Sequence, residues 1–165
     1  MLDNVFPMHA TQIFQMMTSN SKIKKIFKGI LAYDQISYIT TFTPPSLIIL
    51  NTGTSKTDGE HWLTILRSNN TYQIFDSLAM PIQTYTELIK VLKKEKNVEI
   101  KLTPFQIQET HTPSCGYHCV FFSFLRLFFS EKYIFRFIYC KNDLIGNDIL
   151  ATTCVKNWFP RCFEK

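Results

Sequence analysis

Cys115 stands in the run Pro113-Ser114-Cys115-Gly116-Tyr117-His118-Cys119, directly ahead of the most apolar stretch of the chain, residues 120–129. A cysteine attacks as the thiolate. At the start of a helix, backbone dipoles and unpaired N–H groups favour that charged form. His61, in Gly59-Glu60-His61-Trp62, offers an imidazolium as a second source of stabilisation. Asp76, in Phe75-Asp76-Ser77, can fix the tautomer of that imidazole. Gln108 carries a side-chain amide able to donate toward a developing oxyanion. In chain order these four residues supply a base, its orienting acid, an oxyanion donor and a nucleophile. The chemistry they can perform together is acyl transfer through a thioester.

Each residue alone has a plainer reading. A cysteine opening a buried helix is commonly a small core residue, and an aspartate before serine commonly starts a turn. His61 would serve equally as a half-buried polar residue, Gln108 as a solvated loop residue, and Trp62 as core. Gln106 competes with Gln108 for the donor role. His118 lies one helical turn from Cys115 and could mimic the base, but it is poorly placed for orientation by Asp76. His111 has no evident acid, and His9 has no context. The ordered set carries the argument.

The elements that must position these residues read as follows. Residues 11–30 hold apolar side chains at helical spacing, broken by Thr18-Ser19-Asn20-Ser21, which predicts two short helices with Ser21 as an N-cap. Pro44-Pro45 halts regular structure, and Ser46–Asn51 reads as a buried strand. Residues 62–66 and 71–75 read as the two strands of a hairpin, so that His61 and Asp76 flank neighbouring strands. Residues 82–94 read as an amphipathic helix and 98–102 as a strand. Residues 104–114 read as a loop or ragged strand and 116–130 as a central helix. The remaining tail is expected to be partly helical, with its aromatics on that core. The order of helices and strands points to an α+β fold, and the length to a single domain spanning residues 1–165.

Composition narrows the class. Hydrophobic residues make up 45% of the 165 residues and aromatics 15%, which excludes a disordered chain. The apolar run at 120–129 is interrupted by Ser123 and Arg126 and is too short to span a bilayer, so no membrane partner is expected. All five cysteines fall in the last third and their number is odd, which argues against a secreted disulfide framework. Cys115 and Cys119 lack a second ligand pair for zinc, so no metal or small-molecule cofactor is expected. The net charge of +5 gathers in Lys22, Lys24, Lys25 and Lys28, and again between Lys90 and Lys101. Those clusters read either as solvated helix faces or as contacts with nucleic acid.

The linked set Asn51-Thr52-Gly53, Gly59-Glu60-His61-Trp62, Tyr72-Gln73-Ile74-Phe75-Asp76-Ser77-Leu78, Gln108 and Cys115-Gly116-Tyr117-His118-Cys119 resembles the adenovirus maturation protease (adenain) family. Phe27-Lys28-Gly29 and Tyr33-Asp34 extend the resemblance, which covers residues 27–129 and leaves the tail unmatched. It implies a papain-like cysteine endopeptidase, of the type shared with SUMO-specific proteases, with a central mixed sheet and a buried helix starting at the nucleophile. Such an enzyme cleaves viral precursor polypeptides at small, glycine-containing sites, as a monomer, in the virion and host cell nucleus. Carried over by position, Cys115 is the nucleophile, His61 the base, Asp76 its orienting acid and Gln108 the oxyanion donor.

Two departures bear on the expectation. The adenoviral enzymes commonly carry glutamate where Asp76 stands, and the shorter acid is shared with SUMO-specific proteases. The activating viral peptide of the best-known members is tethered to a cysteine ahead of the catalytic glutamine, whereas no cysteine precedes Cys115. Activation by DNA remains compatible with the charge. A SUMO- or ubiquitin-like-protein deconjugase on the same fold is the nearest alternative, although its motif has aspartate where Ser114 stands. A catalytically silent DNA-binding virion protein is the third reading.

Overall fold

The computed structural model describes residues 5–57 and 59–164. Helices α1 (Ala10–Ser19) and α2 (Ser21–Ile26) lead into strand β1 (Phe27–Ala32), and a 3₁₀ segment (Tyr33–Thr41) crosses to β2 (Ser46–Asn51). Strands β3 (Trp62–Ser68) and β4 (Thr71–Phe75) form a hairpin. A 3₁₀ turn (Ile82–Tyr85), α3 (Thr86–Leu92) and β5 (Glu99–Leu102) follow. The long helix α4 (Cys115–Leu125), the short α5 (Glu131–Tyr133) running into a π-helical turn, and α6 (Leu144–Trp158) complete the fold.

The five strands lie in the order β1-β2-β3-β4-β5. The central pairings are antiparallel, and both edge strands run parallel to their neighbours, giving a mixed sheet. All six residues of β2 are buried, which explains its nearly unbroken apolar sequence. Leu47 and Ile49 pack with α1, α4 and α6 on one face, while Ile48 and Leu50 join Leu63, Ile65, Tyr72, Ile74 and α3 on the other. The sheet is thus covered on both sides, and α4 is buried around almost its whole circumference. Phe75 and Phe122 stack with ring centroids 4.0 Å apart, locking α4 to β4 one residue before Asp76.

The first sixty residues depart most from expectation. Phe27–Ala32 is a strand, not the end of a helix: it pairs with β2 through a bulge between Phe27 and Gly29, and Gly29 takes φ +130°. The helical spacing of Ile23, Ile26, Phe27 and Ile30 arises because α2 and β1 both turn these side chains inward, toward the same core. Asn20, not Ser21, caps α2, its Oδ1 accepting from the N–H groups of Lys22 and Ile23. Between β3 and β4 the turn is tightened to Asn69-Asn70, with Asn69 at φ +46°. Helix α4 stops at Leu125, short of the apolar run's end, and Phe128 and Phe129 are left exposed.

Candidate active site

His61 immediately precedes β3 and Asp76 immediately follows β4, so the hairpin register brings them together. His61 Nε2 lies 2.7 Å from Asp76 Oδ1. Asp76 is nearly inaccessible, and its carboxylate is saturated. Oδ1 also accepts from Leu78 N–H at 2.9 Å, while Oδ2 accepts from Met80 N–H and the Tyr85 hydroxyl, each at 2.8 Å. Burial alone would raise the Asp76 pKa, but the His61 hydrogen bond and charge, then Met80 and Tyr85, hold it below the usual carboxylate value. The acid is therefore an anion with a fixed orientation.

Burial likewise opposes charge on His61, yet the Asp76 hydrogen bond and the interaction with the Cys115 thiol outweigh it and raise its pKa to about 9. With Nε2 committed to Asp76, Nδ1 is the nitrogen left for Cys115. The imidazole is thus bound to the acid on one side and shares the cleft with Cys115, which opens an eleven-residue helix.

The loop before His61 is organised by the buried Asn51, whose Oδ1 accepts from Gly53 N–H at 2.7 Å and Glu60 N–H at 3.4 Å. A Cβ on Gly59 would stand 2.2 Å from Asn51 Nδ2, so only glycine permits this close return of the loop. The Thr52 N–H donates to the His61 carbonyl, closing the loop at its base. Opposite, Trp62 donates its indole N–H to the Met8 carbonyl at 3.2 Å, seating the segment before α1 against the start of α4. At Gly116 a Cβ would lie 2.8 Å from the Met8 Cβ, so this glycine allows that segment to close on the helix.

Gln108 is buried and held at both ends of its amide. Ser77 Oγ donates to its Oε1 at 2.6 Å, and its Nε2 donates to the Thr112 carbonyl at 2.5 Å. A carbonyl can only accept, so this contact fixes which end is nitrogen and leaves one amide hydrogen uncommitted. Gln106 instead donates to the Gln108 carbonyl and to Thr110 Oγ1, bracing the loop.

These residues line one cleft of about 680 Å³. His61, Trp62, Gln108 and Cys115 are on its walls, together with Met8, His9, Leu31, Asn51 and Glu60. His9, which has no context in the sequence, is brought to the cleft by the fold. Of the competing histidines, His111 is exposed. His118 is fully buried and paired with Asp148 at 2.7 Å rather than with Asp76. Tyr85 was legible only as an apolar face of a helix; its hydroxyl bond to Asp76 has no signal in the local sequence.

Among the described residues no group of His, Cys, Asp and Glu could hold a metal ion, and no helix is long and apolar enough to cross a membrane. All five cysteines are free thiols. The Lys clusters of α2 and of α3–β5 are exposed and fall at opposite edges of the sheet.

No protein-family model matches the chain, and no curated protein matches it in sequence. Solved structures do. ChlaDub1 from Chlamydia trachomatis superposes with a TM-score of 0.62 at 13% identity, over 97% of this chain and 93% of that one. The ASFV pS273R protease gives a TM-score of 0.54 at 16% identity, over 90% of this chain and 68% of its own. AvrA with IP6 and CoA gives 0.55 at 12% identity, over 88% of this chain and 59% of its own. The α+β fold with a mixed five-stranded sheet is the papain-like architecture of the adenain and SUMO-protease type, as the sequence led us to expect.

Proposed function

We propose that this chain is a cysteine peptidase in which Cys115, His61, Asp76 and Gln108 carry the reaction. The observation that supports it most is the His61 imidazole bound at 2.7 Å to the saturated Asp76 carboxylate and lining one open cleft with Gln108 and Cys115. In this reading the Cys115 thiolate attacks the peptide carbonyl, forming a C–S bond and a tetrahedral oxyanion. The uncommitted Gln108 N–H donates to that oxyanion. Imidazolium His61 then gives its proton to the departing amine, leaving a thioester on Cys115. Neutral His61 next takes a proton from water, the resulting hydroxide attacks the thioester, and the carboxylic product leaves with the thiolate restored.

The proposed substrates are viral precursor polypeptides cut after small, glycine-containing sequences, in the virion and host nucleus. Support for this setting comes from the motif resemblance over residues 27–129. DNA is the proposed activator on the basis of net charge and the exposed Lys22, Lys24, Lys25 and Lys28. Asp76, shared with SUMO-specific proteases, favours a second reading as a deconjugase of ubiquitin-like modifiers.

The test incubates the protein with glycine-containing precursor peptides and with SUMO and ubiquitin conjugates, each with and without DNA. Peptide cleavage that vanishes in Cys115→Ala supports the endopeptidase. Preferential release of a modifier transfers the assignment to the second reading, and cleavage surviving in Cys115→Ala removes both.

A further inference from the structure

The buried His118–Asp148 pair has no part in the proposed catalytic step, yet it sits directly behind the segment that does. Asp148, on α6, is fully inaccessible and accepts four hydrogen bonds. Its Oδ1 takes Ser114 Oγ and His118 Nε2, each at 2.7 Å. Its Oδ2 takes Thr112 Oγ1 at 2.8 Å and Glu109 N–H at 3.1 Å. Thr112 has one hydroxyl hydrogen and also lies 2.9 Å from the Glu109 carbonyl; an anionic acceptor takes it preferentially.

The charges in this cluster are unequal. Burial pushes the His118 pKa down, more than Asp148 raises it. Burial opposes ionisation of Asp148, but the hydrogen bonds from His118, Ser114 and Thr112 hold it below the usual value. One carboxylate anion therefore binds four neutral donors, the arrangement that satisfies a buried charge without a cationic partner. The neighbouring Asn147 adds a fifth tie, donating to the Ile107 carbonyl at 3.1 Å.

The four donors come from the short segment between Gln108 and the first turn of α4. Glu109 follows Gln108, Ser114 precedes Cys115, and His118 lies one turn into the helix. Thr112 is bound to Asp148 through its side chain, and its carbonyl receives the Gln108 amide. A single rigid group thus sets the placement of the Gln108 amide relative to the Cys115 sulfur. We infer that Asp148 is a positioning residue for the oxyanion side of the cleft, acting through Thr112 and Ser114. It reaches no substrate itself. The inference rests on the peptidase reading for its catalytic consequence, but its structural half stands on the four contacts alone.

The test compares wild type with Asp148→Asn, which keeps the shape but loses the charge and an acceptor. Three readouts are taken: steady-state peptide cleavage, the rate of Cys115 alkylation by iodoacetamide mapped by mass, and amide hydrogen exchange. Alkylation needs the thiol–imidazole pair but no oxyanion donor. The expected result is a kcat about ten- to a hundred-fold lower with KM and alkylation rate within about two-fold of wild type. Amide exchange across residues 109–115 accelerates about ten-fold or more, while β2, β3 and β4 keep their protection.

Unchanged exchange in that segment overturns the inference, as does faster exchange with unchanged kcat. A protein merely stapled by this pair would melt earlier with kcat intact below its transition. Should Asp148→Asn fail to fold, Thr112→Val removes one donor and carries the same readouts with a smaller expected change. If wild type cleaves nothing, the peptidase reading falls, and the exchange result alone decides whether Asp148 holds the loop.

Discussion

Asp76 grips His61 with one oxygen at 2.7 Å while its other oxygen is filled by the Tyr85 hydroxyl and the Met80 N–H, so the acid cannot turn away from the imidazole. The hold on the His61 ring therefore depends on contacts made on the far side of the carboxylate. Tyr85 is thereby a support of the site although it belongs to the opposite core.

Replacing Tyr85 with Phe removes one donor to a buried anion and leaves the ring in place. A stability loss of about 1–2 kcal/mol is expected, seen as a melting point a few degrees lower. Peptide turnover should fall several-fold, with KM nearly unchanged. Equal turnover in Tyr85→Phe would show that the hydroxyl does not help hold Asp76.

Gln108→Ala deletes the amide facing the cleft while leaving Cys115 and His61 untouched. On the proposed mechanism kcat drops about 10²–10³-fold, and iodoacetamide still alkylates Cys115 at a wild-type rate. Gln106→Ala, which only loosens the loop, should cost far less. A larger loss in Gln106→Ala than in Gln108→Ala would exchange their roles.

His61 carries a pKa raised from 6.5 to about 9, so the pH window is defined. Its proton is needed by the leaving amine, and cleavage should fall as pH rises through about 9. Linkage has the same sign. A raised pKa in the folded state stabilises the protein fully below about 6.5, loses that contribution between there and 9, and contributes nothing above. The shift sets a ceiling of roughly 3 kcal/mol. The melting-point gap between wild type and His61→Gln should therefore narrow from pH 6 to pH 10; a gap that widens contradicts the assignment.

Phe122 fixes α4 against Phe75, and with it the height of Cys115 above the hairpin. Phe122→Ala removes a fully buried ring and is expected to destabilise by about 3–5 kcal/mol, measurable by urea denaturation. Phe128→Ala, at an exposed ring, should change stability by less than about 0.5 kcal/mol. Comparable losses would contradict the described packing of α4.

The hairpin was legible because β3 and β4 have apolar runs separated by Asn69-Asn70, and a hairpin turns sequence neighbours into spatial neighbours. Helix α4 was legible from its composition, and the four candidate site residues from their order along the chain. Strand β1 was hidden because the inward side chains of α2 and β1 together mimic one helical stripe. Asp148 was beyond reach for another reason. It lies thirty residues after His118 on a different helix, and an aspartate inside an ordinary helical pattern gives no hint of a buried partner. The helical pattern around Tyr85 shows only its apolar ring, which joins the core, and not the hydroxyl that binds Asp76. Local pattern reveals elements; pairings across the sheet and between helices do not follow from it.

The most direct test of the account is mass mapping of the protein after reaction with a glycine-ending peptide electrophile, in wild type, His61→Gln and Cys115→Ala. Cys140 is the exposed thiol and serves as an internal control for indiscriminate reaction. The account predicts one adduct, on Cys115, formed much more slowly in His61→Gln and absent in Cys115→Ala. Labelling at Cys140 in preference to Cys115, or labelling of Cys115 that is indifferent to His61, would contradict it.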